Sequence, residues 1–173
     1  MPPDSPPRTR SVTWHDPAAG LERSRNLSGL EFLQAIIRGD IPVPPSSALL
    51  GIEPHSAERG RVVMRLQPAE FLYNPVGVVQ GGLISTLLDA VMGCAVASVL
   101  AAGEGYTTLE LKVNFVRPLT ASAGVVEGVG SILHEGGRIA TAEGRVIDLG
   151  GRLYAHGITT CIVSRSTRAE PTA

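Results

Sequence analysis

Apolar positions along the chain follow two periods, and the change between them marks out the elements. Leu30, Leu33, Ile36 and Ile37 recur at helical spacing behind Ser28 and Glu31, which have the S-x-x-E form of a capping box. Gly39 stands where such a helix stops, so the pattern predicts an amphipathic helix over Gly29–Arg38. Ile41 to Ser47 is Pro-rich, and each Pro disfavours helix in the residue before it, which predicts an extended linker. A weak strand near Leu49–Pro54 and a clearer one over Arg61–Leu66 come next. Phe71–Gln80 reads as a loop with turn chemistry at Asn74-Pro-Val-Gly77. An apolar run from Gly81 to about Leu100 predicts a long helix. Its small residues (Gly82, Ser85, Ala90, Gly93, Ala95, Ala97) would let a sheet approach it closely. Beyond Gly103-Glu-Gly105 the period becomes two. In Tyr106–Val116, Leu109, Leu111, Val113 and Phe115 alternate with Glu110, Lys112 and Asn114, as in a half-buried strand. Strands over Ala123–His134, Arg138–Leu149 and Arg152–Val163 follow. They are joined by short Gly-bearing links that predict consecutive antiparallel hairpins. The expected architecture is α+β, with a long central helix packed on an antiparallel sheet of about six strands, the last four in a meander.

The ends of the chain lack either period. Residues 1–26 are rich in Pro, Ser, Arg and Asp and are expected to form a flexible tail. Residues 27–165 are expected to form one domain, and 166–173 a second flexible tail. A length of 173 residues suits such a domain, and a hydrophobic content of 43% is enough for a core without crosslinks. The first residues contain no apolar stretch of the secretory kind. The run 83–102 carries Asp89 in its interior, which is costly in a membrane, so a buried helix of a soluble protein is expected. With a formal net charge of -1 there is no broad basic field to attract nucleic acid or an anionic membrane surface. Cys94 and Cys161 have apolar neighbours and no metal-ligand spacing, so they read as buried thiols, and nothing calls for an oxidising compartment. His15, His55, His134 and His156 have no acidic or cysteine partner at ligand spacing. No metal site is expected.

The chemistry concentrates in residues 74–89. Gly81 and Gly82 open the long helix, where the first backbone N–H groups have no intrahelical partner and the helix dipole adds positive charge. Such a terminus suits a thioester carbonyl that becomes an oxyanion. Asp89 is an acid among Leu87, Leu88, Ala90, Val91 and Met92, a costly place for a carboxylate without a partner or a task. Asp89 follows Gly81 by eight positions, about 12 Å along a helix axis at ~1.5 Å per residue. Reacting atoms must approach within about 3–3.5 Å, so one helix does not easily supply both groups to one carbon. A two-fold dimer does, with Gly81 of one protomer facing Asp89 of the other. Plainer readings exist for each residue: Asn74 as a turn former, the paired glycines as a packing device, Thr108 as a strand former, and any exposed Arg as a solvated charge.

Segment 74–94, with Thr107-Thr-Leu-Glu-Leu-Lys-Val-Asn-Phe-Val-Arg-Pro118, resembles the hotdog-fold acyl-CoA thioesterases of the PaaI type. Those carry Asn-Pro-x-Gly-x-x-His-Gly-Gly with an Asp seven positions on, then a strand ending in an aromatic residue shortly before Arg-Pro or Ser-Pro. The resemblance covers about Pro45–Val163. It implies a hotdog fold and hydrolysis of an acyl-CoA thioester to a carboxylic acid and free CoA. It gives Gly81 the N–H that polarises the carbonyl, Asn74 a supporting place in the loop, Asp89 the part of nucleophile or general base for water, and Thr108 the hydroxyl that orients that water or carboxylate. Gln80, Gly82, Arg117 and Arg138 become candidates for substrate contact, the arginines toward the CoA phosphates. The family implies a cytoplasmic homodimer, often paired into homotetramers, with acyl-CoA as its partner and no cofactor, metal, nucleic acid or membrane insertion. One departure stands out: Gln80 replaces the usual His and cannot titrate near neutral pH. That substitution admits a second expectation, a non-catalytic acyl-CoA or lipid-binding hotdog module. A hotdog dehydratase fits less well, because it needs a His that the 74–89 stretch lacks.

Overall fold

The computed structural model describes residues 6–165. Its sheet contains β1 (Ile52–Glu58), β2 (Arg61–Leu66), β3 (Gly105–Phe115), β4 (Val126–Glu135), β5 (Ile139–Asp148) and β6 (Leu153–Ser164), ordered β1-β2-β4-β5-β6-β3 and antiparallel throughout. Among the described residues, four α-helices accompany it: α1 (Pro17–Ser24), α2 (Gly29–Arg38), α3 (Pro45–Leu50) and α4 (Gly81–Ala97). The α+β layout of one long helix on six antiparallel strands is the one expected from the hydrophobic pattern. Among the described residues, no helix is long and apolar enough to cross a membrane.

The core lies where α4 crosses the sheet. Leu87, Leu88, Val91 and Met92 of α4 are fully buried. The close approach depends on glycines in the strands more than on small residues in the helix. A Cβ on Gly130 would fall 2.2 Å from the Val91 carbonyl oxygen, and one on Gly144 2.8 Å from Met92 Cγ. Only residues without a side chain fit at those crossings.

The helix α2 has the expected bounds and both halves of its capping box, and Gly39 ends it in the left-handed region (φ 82°). Its start is pressed onto the end of α4. Gly29 N–H donates to the Leu100 carbonyl at 3.1 Å, and a Cβ at Gly29 would lie 1.8 Å from the Ala97 carbonyl oxygen.

Four features depart from expectation. Residues 17–24, expected in an unstructured tail, form α1: Asp16 Oδ1 accepts from Ala18 N–H at 2.9 Å, and Pro17 occupies the first turn, where its missing donor costs nothing. The helix has no buried residue, so no periodicity announces it. Likewise, α3 begins at Pro45 inside the predicted linker and displaces the first strand to Ile52. Pro45 satisfies the rule that allows Pro at a helix start. The helix α4 ends at Ala97 rather than near Leu100. Finally, the last four strands are not a meander. Strands β4, β5 and β6 follow one another, but β3 lies at the far edge, paired with β6, while β4 pairs with β2. The segment 116–125 includes Arg117-Pro118 and a 3-10 turn at Ala121–Ala123, too long a link for a tight hairpin.

Strand β3 also breaks its predicted alternation. Its register with β6 shifts between Thr108 and Glu110, leaving Leu109 as an extra, 59% exposed residue. The carbonyl of Glu110 is taken up at 2.7 Å by the hydroxyl of Thr159, a buried residue of β6. This β-bulge reverses the facing of every residue before it relative to those after it.

Candidate active site

The bulge decides where Thr108 points. By simple alternation Thr108 would share a face with Glu110 and Lys112, away from α4. With one residue inserted, it shares the helix side with the part-buried Leu111 and Val113, and its Oγ1 donates to Asp89 Oδ1 at 3.0 Å. Asp89 is half-buried on the flank of α4 that faces α2 rather than the strand glycines. Around it lies a cavity of about 270 Å³, whose walls include Phe32, Leu33 and Ile36 of α2, Val62 and Met64 of β2, and Ala90 and Cys94 of α4.

The groups nearest Asp89 are held neutral. Burial pushes the Cys94 thiol up to about 12, and the charge of Asp89 adds to the effect. Burial also raises the Tyr106 hydroxyl, with further contributions from Cys94, Cys161 and Asp89. Burial raises the Cys161 thiol as well. Asp89 is the one acidic side chain in the lining of this cavity.

Gly81 lies elsewhere. The N-terminus of α4 lines a second cavity of about 340 Å³ together with Asn74, Ile84, Phe115, Arg117 and Leu119. A Cβ on Gly81 would come 3.1 Å from the Phe115 ring, so packing as well as chemistry favours glycine there; Gly82 faces open space and has no packing reason to be small. Gln80 is the exposed N-cap residue, and its side chain makes no capping hydrogen bond, so it leaves the first N–H groups of α4 uncovered. Asn74 works first as a turn former: its Oδ1 accepts from Val76 and Val78 N–H at 3.1 and 3.3 Å, fixing the loop that leads into α4. Arg117 lines the same cavity, and its guanidinium donates to the Leu153 carbonyl. Arg138 is not near this cluster. It is exposed at the β4–β5 turn, beside Ile139, which is in register with Ile162 and so with Thr107 at the start of β3; Gly81 packs on Phe115 at the end of that strand.

One chain therefore brings together two separate groups, Asp89 with Thr108, and Gly81 with Asn74 and Arg117. Sequence reasoning missed Thr159, which braces the bulge, and the α2 side chains over Asp89. Nothing in a strand reading Ile158-Thr-Thr-Cys161 distinguishes a bracing hydroxyl. The helix α2 was legible, but not the surface it covers.

The family model of the thioesterase superfamily matches residues 76–155. The conserved protein PA5202 of Pseudomonas aeruginosa is 34% identical, with alignment over 70% of this chain and 95% of that one at a TM-score of 0.66. A phenylacetic acid degradation-related protein of Ralstonia eutropha JMP134 is 29% identical over 75% of this chain and 98% of its own, at a TM-score of 0.68. Protein smu.793 of Streptococcus mutans UA159, solved with acetyl CoA bound, shares the fold at 22% identity, over 68% of this chain and 91% of that one, with a TM-score of 0.61. The fold is the hotdog fold, and the chain belongs to the thioesterase superfamily, on its PaaI-like side. It is a thioester hydrolase.

Proposed function

We propose that this protein hydrolyses acyl-CoA thioesters at two equivalent sites, each combining Gly81 and Asn74 of one protomer with Asp89 and Thr108 of its partner. The observation that carries this reading is the Thr108–Asp89 hydrogen bond at the wall of an apolar cavity. It holds one oxygen of the carboxylate and leaves the other for chemistry. The location of Gly81 in a different cavity of the same chain supports assembly across a two-fold axis. So does β3, an 11-residue strand at the sheet edge, whose unpaired backbone groups can continue the sheet into a second copy. The CoA ester is supported by the acetyl CoA bound to the Streptococcus mutans relative.

In this mechanism the thioester carbonyl rests on the N–H groups at the start of α4, which stabilise the oxyanion as the tetrahedral intermediate forms. Asp89 takes a proton from the attacking water, or attacks the carbonyl itself and is released by water. The C–S bond breaks, the CoA sulfur leaves as thiolate and gains a proton, and the acyl group departs as a carboxylic acid. Gln80 hydrogen-bonds without titrating, so proton transfer falls to Asp89. The place of Arg117 in the lining of the Gly81 cavity supports a contact with the CoA phosphates.

Asp89→Asn tests the assignment. It keeps size and polarity but removes the base, and release of CoA thiol should fall at least a thousand-fold while gel filtration and melting remain those of wild type. Wild-type turnover in this variant would exclude Asp89 from the reaction. Binding of acyl-CoA with no thiol release by the wild-type protein would instead favour a binding module.

A further inference from the structure

Asp89 borders the first, largely apolar one of two neighbouring cavities that follow α4. The cavity at Asp89, about 270 Å³, is roofed by α2 and floored by β2. A larger one, about 540 Å³, lies beyond it toward the C-terminal end of α4, lined by Leu27, Ala97, Leu100 and Tyr106 and also by Arg25 and Glu104. Both touch Phe32, Leu33 and Cys94, so these three side chains form the partition. Ala90, Cys94 and Ala97 follow one another on the same side of α4 and trace a path of roughly 10 Å at ~1.5 Å per residue. The combined space is therefore elongated along α4. The first cavity alone falls just below the ~300–1,000 Å³ usual for ligand pockets, whereas the two joined lie within it.

Resting on the acyl-CoA reading above, we propose that the substrate's acyl group is an unbranched aliphatic chain. It runs from Asp89 along α4 beneath α2, and Phe32, Leu33 and Cys94 set the length accepted. Once the thioester carbon is at Asp89, the adjoining space is what the acyl group must fill. Its lining explains the preference for an apolar chain. Apart from Asp89, the first cavity has no charged side chain; the Thr86 hydroxyl is already bonded to the Gly82 carbonyl, and the remaining hydroxyls, Ser46 and Ser47, are on α3. A polar acyl group lying between Asp89 and Cys94 would lose hydration without gaining partners. The roof is pinned at the far end by Gly29 against Ala97, so the passage opens through the half-buried Phe32 side chain rather than by lifting α2.

The test compares kcat/KM for butanoyl-, octanoyl-, dodecanoyl- and phenylacetyl-CoA in wild type, Cys94→Phe and Phe32→Ala, with Asp89→Asn alongside. Wild type should favour octanoyl or dodecanoyl over butanoyl and phenylacetyl. Cys94→Phe projects a ring into the passage and should lower the dodecanoyl-to-butanoyl ratio about ten-fold or more, since a misfit of one methylene in an apolar pocket already changes discrimination by about 10–200-fold. Phe32→Ala should raise that ratio, and it decides the matter if Cys94→Phe fails to fold. The proposal is overturned if wild type cleaves these esters, Asp89→Asn does not, and neither partition variant moves the ratio, or if phenylacetyl-CoA is the preferred ester. If wild type cleaves none of them, or Asp89→Asn cleaves them all at the wild-type rate, the catalytic reading itself fails and the chain-length proposal falls with it.

Discussion

Thr108→Val isolates the hydrogen bond on which the catalytic proposal leans. Valine keeps the shape of threonine and is at home in a strand, so β3 and its bulge should persist. What disappears is the donor 3.0 Å from Asp89 Oδ1. A hydrogen bond to a charged group contributes about 1.5–3 kcal/mol net. With each ~1.4 kcal/mol worth a factor of ten in rate, kcat/KM should fall roughly 10–100-fold if Asp89 depends on that bond for its position in the transition state. The loss should be much smaller than that of Asp89→Asn, because the carboxylate remains. Thiol release from a medium-chain acyl-CoA measures it, and Thr108→Ser, which restores the hydroxyl, should recover most of the rate. A Thr108→Val protein with unchanged melting and wild-type kcat/KM would mean that Asp89 does not depend on this bond, and would return Thr108 to the rank of an ordinary strand residue.

Two further expectations concern packing and ionisation. Gly130→Ala places a methyl group against the Val91 backbone of α4, where neither side can yield cheaply; urea unfolding should show a loss of at least ~1–3 kcal/mol, whereas Gly82→Ala, in open space, should melt no lower than wild type. Equal melting of Gly130→Ala and wild type would mean that helix and sheet do not approach as described. The Cys94 thiol, raised to about 12, forms thiolate only as the pH nears that value. Iodoacetamide near neutral pH should therefore leave Cys94 unmodified in the native protein and label it once the chain is unfolded. Rapid labelling of the folded protein, read by mass spectrometry, would contradict a half-buried thiol held neutral.

Much of this protein is decided within short stretches of chain. The Ser28–Glu31 box, the Gly39 stop, the apolar run after Gly81 and the period-two strands near the C-terminus are local signals, and the elements follow them closely because capping, turn chemistry and periodicity act over a few residues. The 74–89 segment likewise announced Gly81 and Asp89, since an acid on an apolar helix and glycines at its start are anomalies visible without coordinates. Three things required the tertiary structure. Strand order is one: β3 pairs with β6 rather than β4, because the 116–125 link exceeds a hairpin and distant backbone partners compete for the same edge. The facing of Thr108 is another, set by one inserted residue braced from β6 by Thr159; alternation read from sequence carries no record of a bulge, so it turned Leu109 inward and Thr108 out. The last is what surrounds Asp89. Its cavity is made by α2, β2 and α4, segments far apart in the chain whose side chains look like ordinary core residues until packing leaves a space between them. The order of residues determined which groups could do chemistry, and the packing of distant elements determined which of them meet.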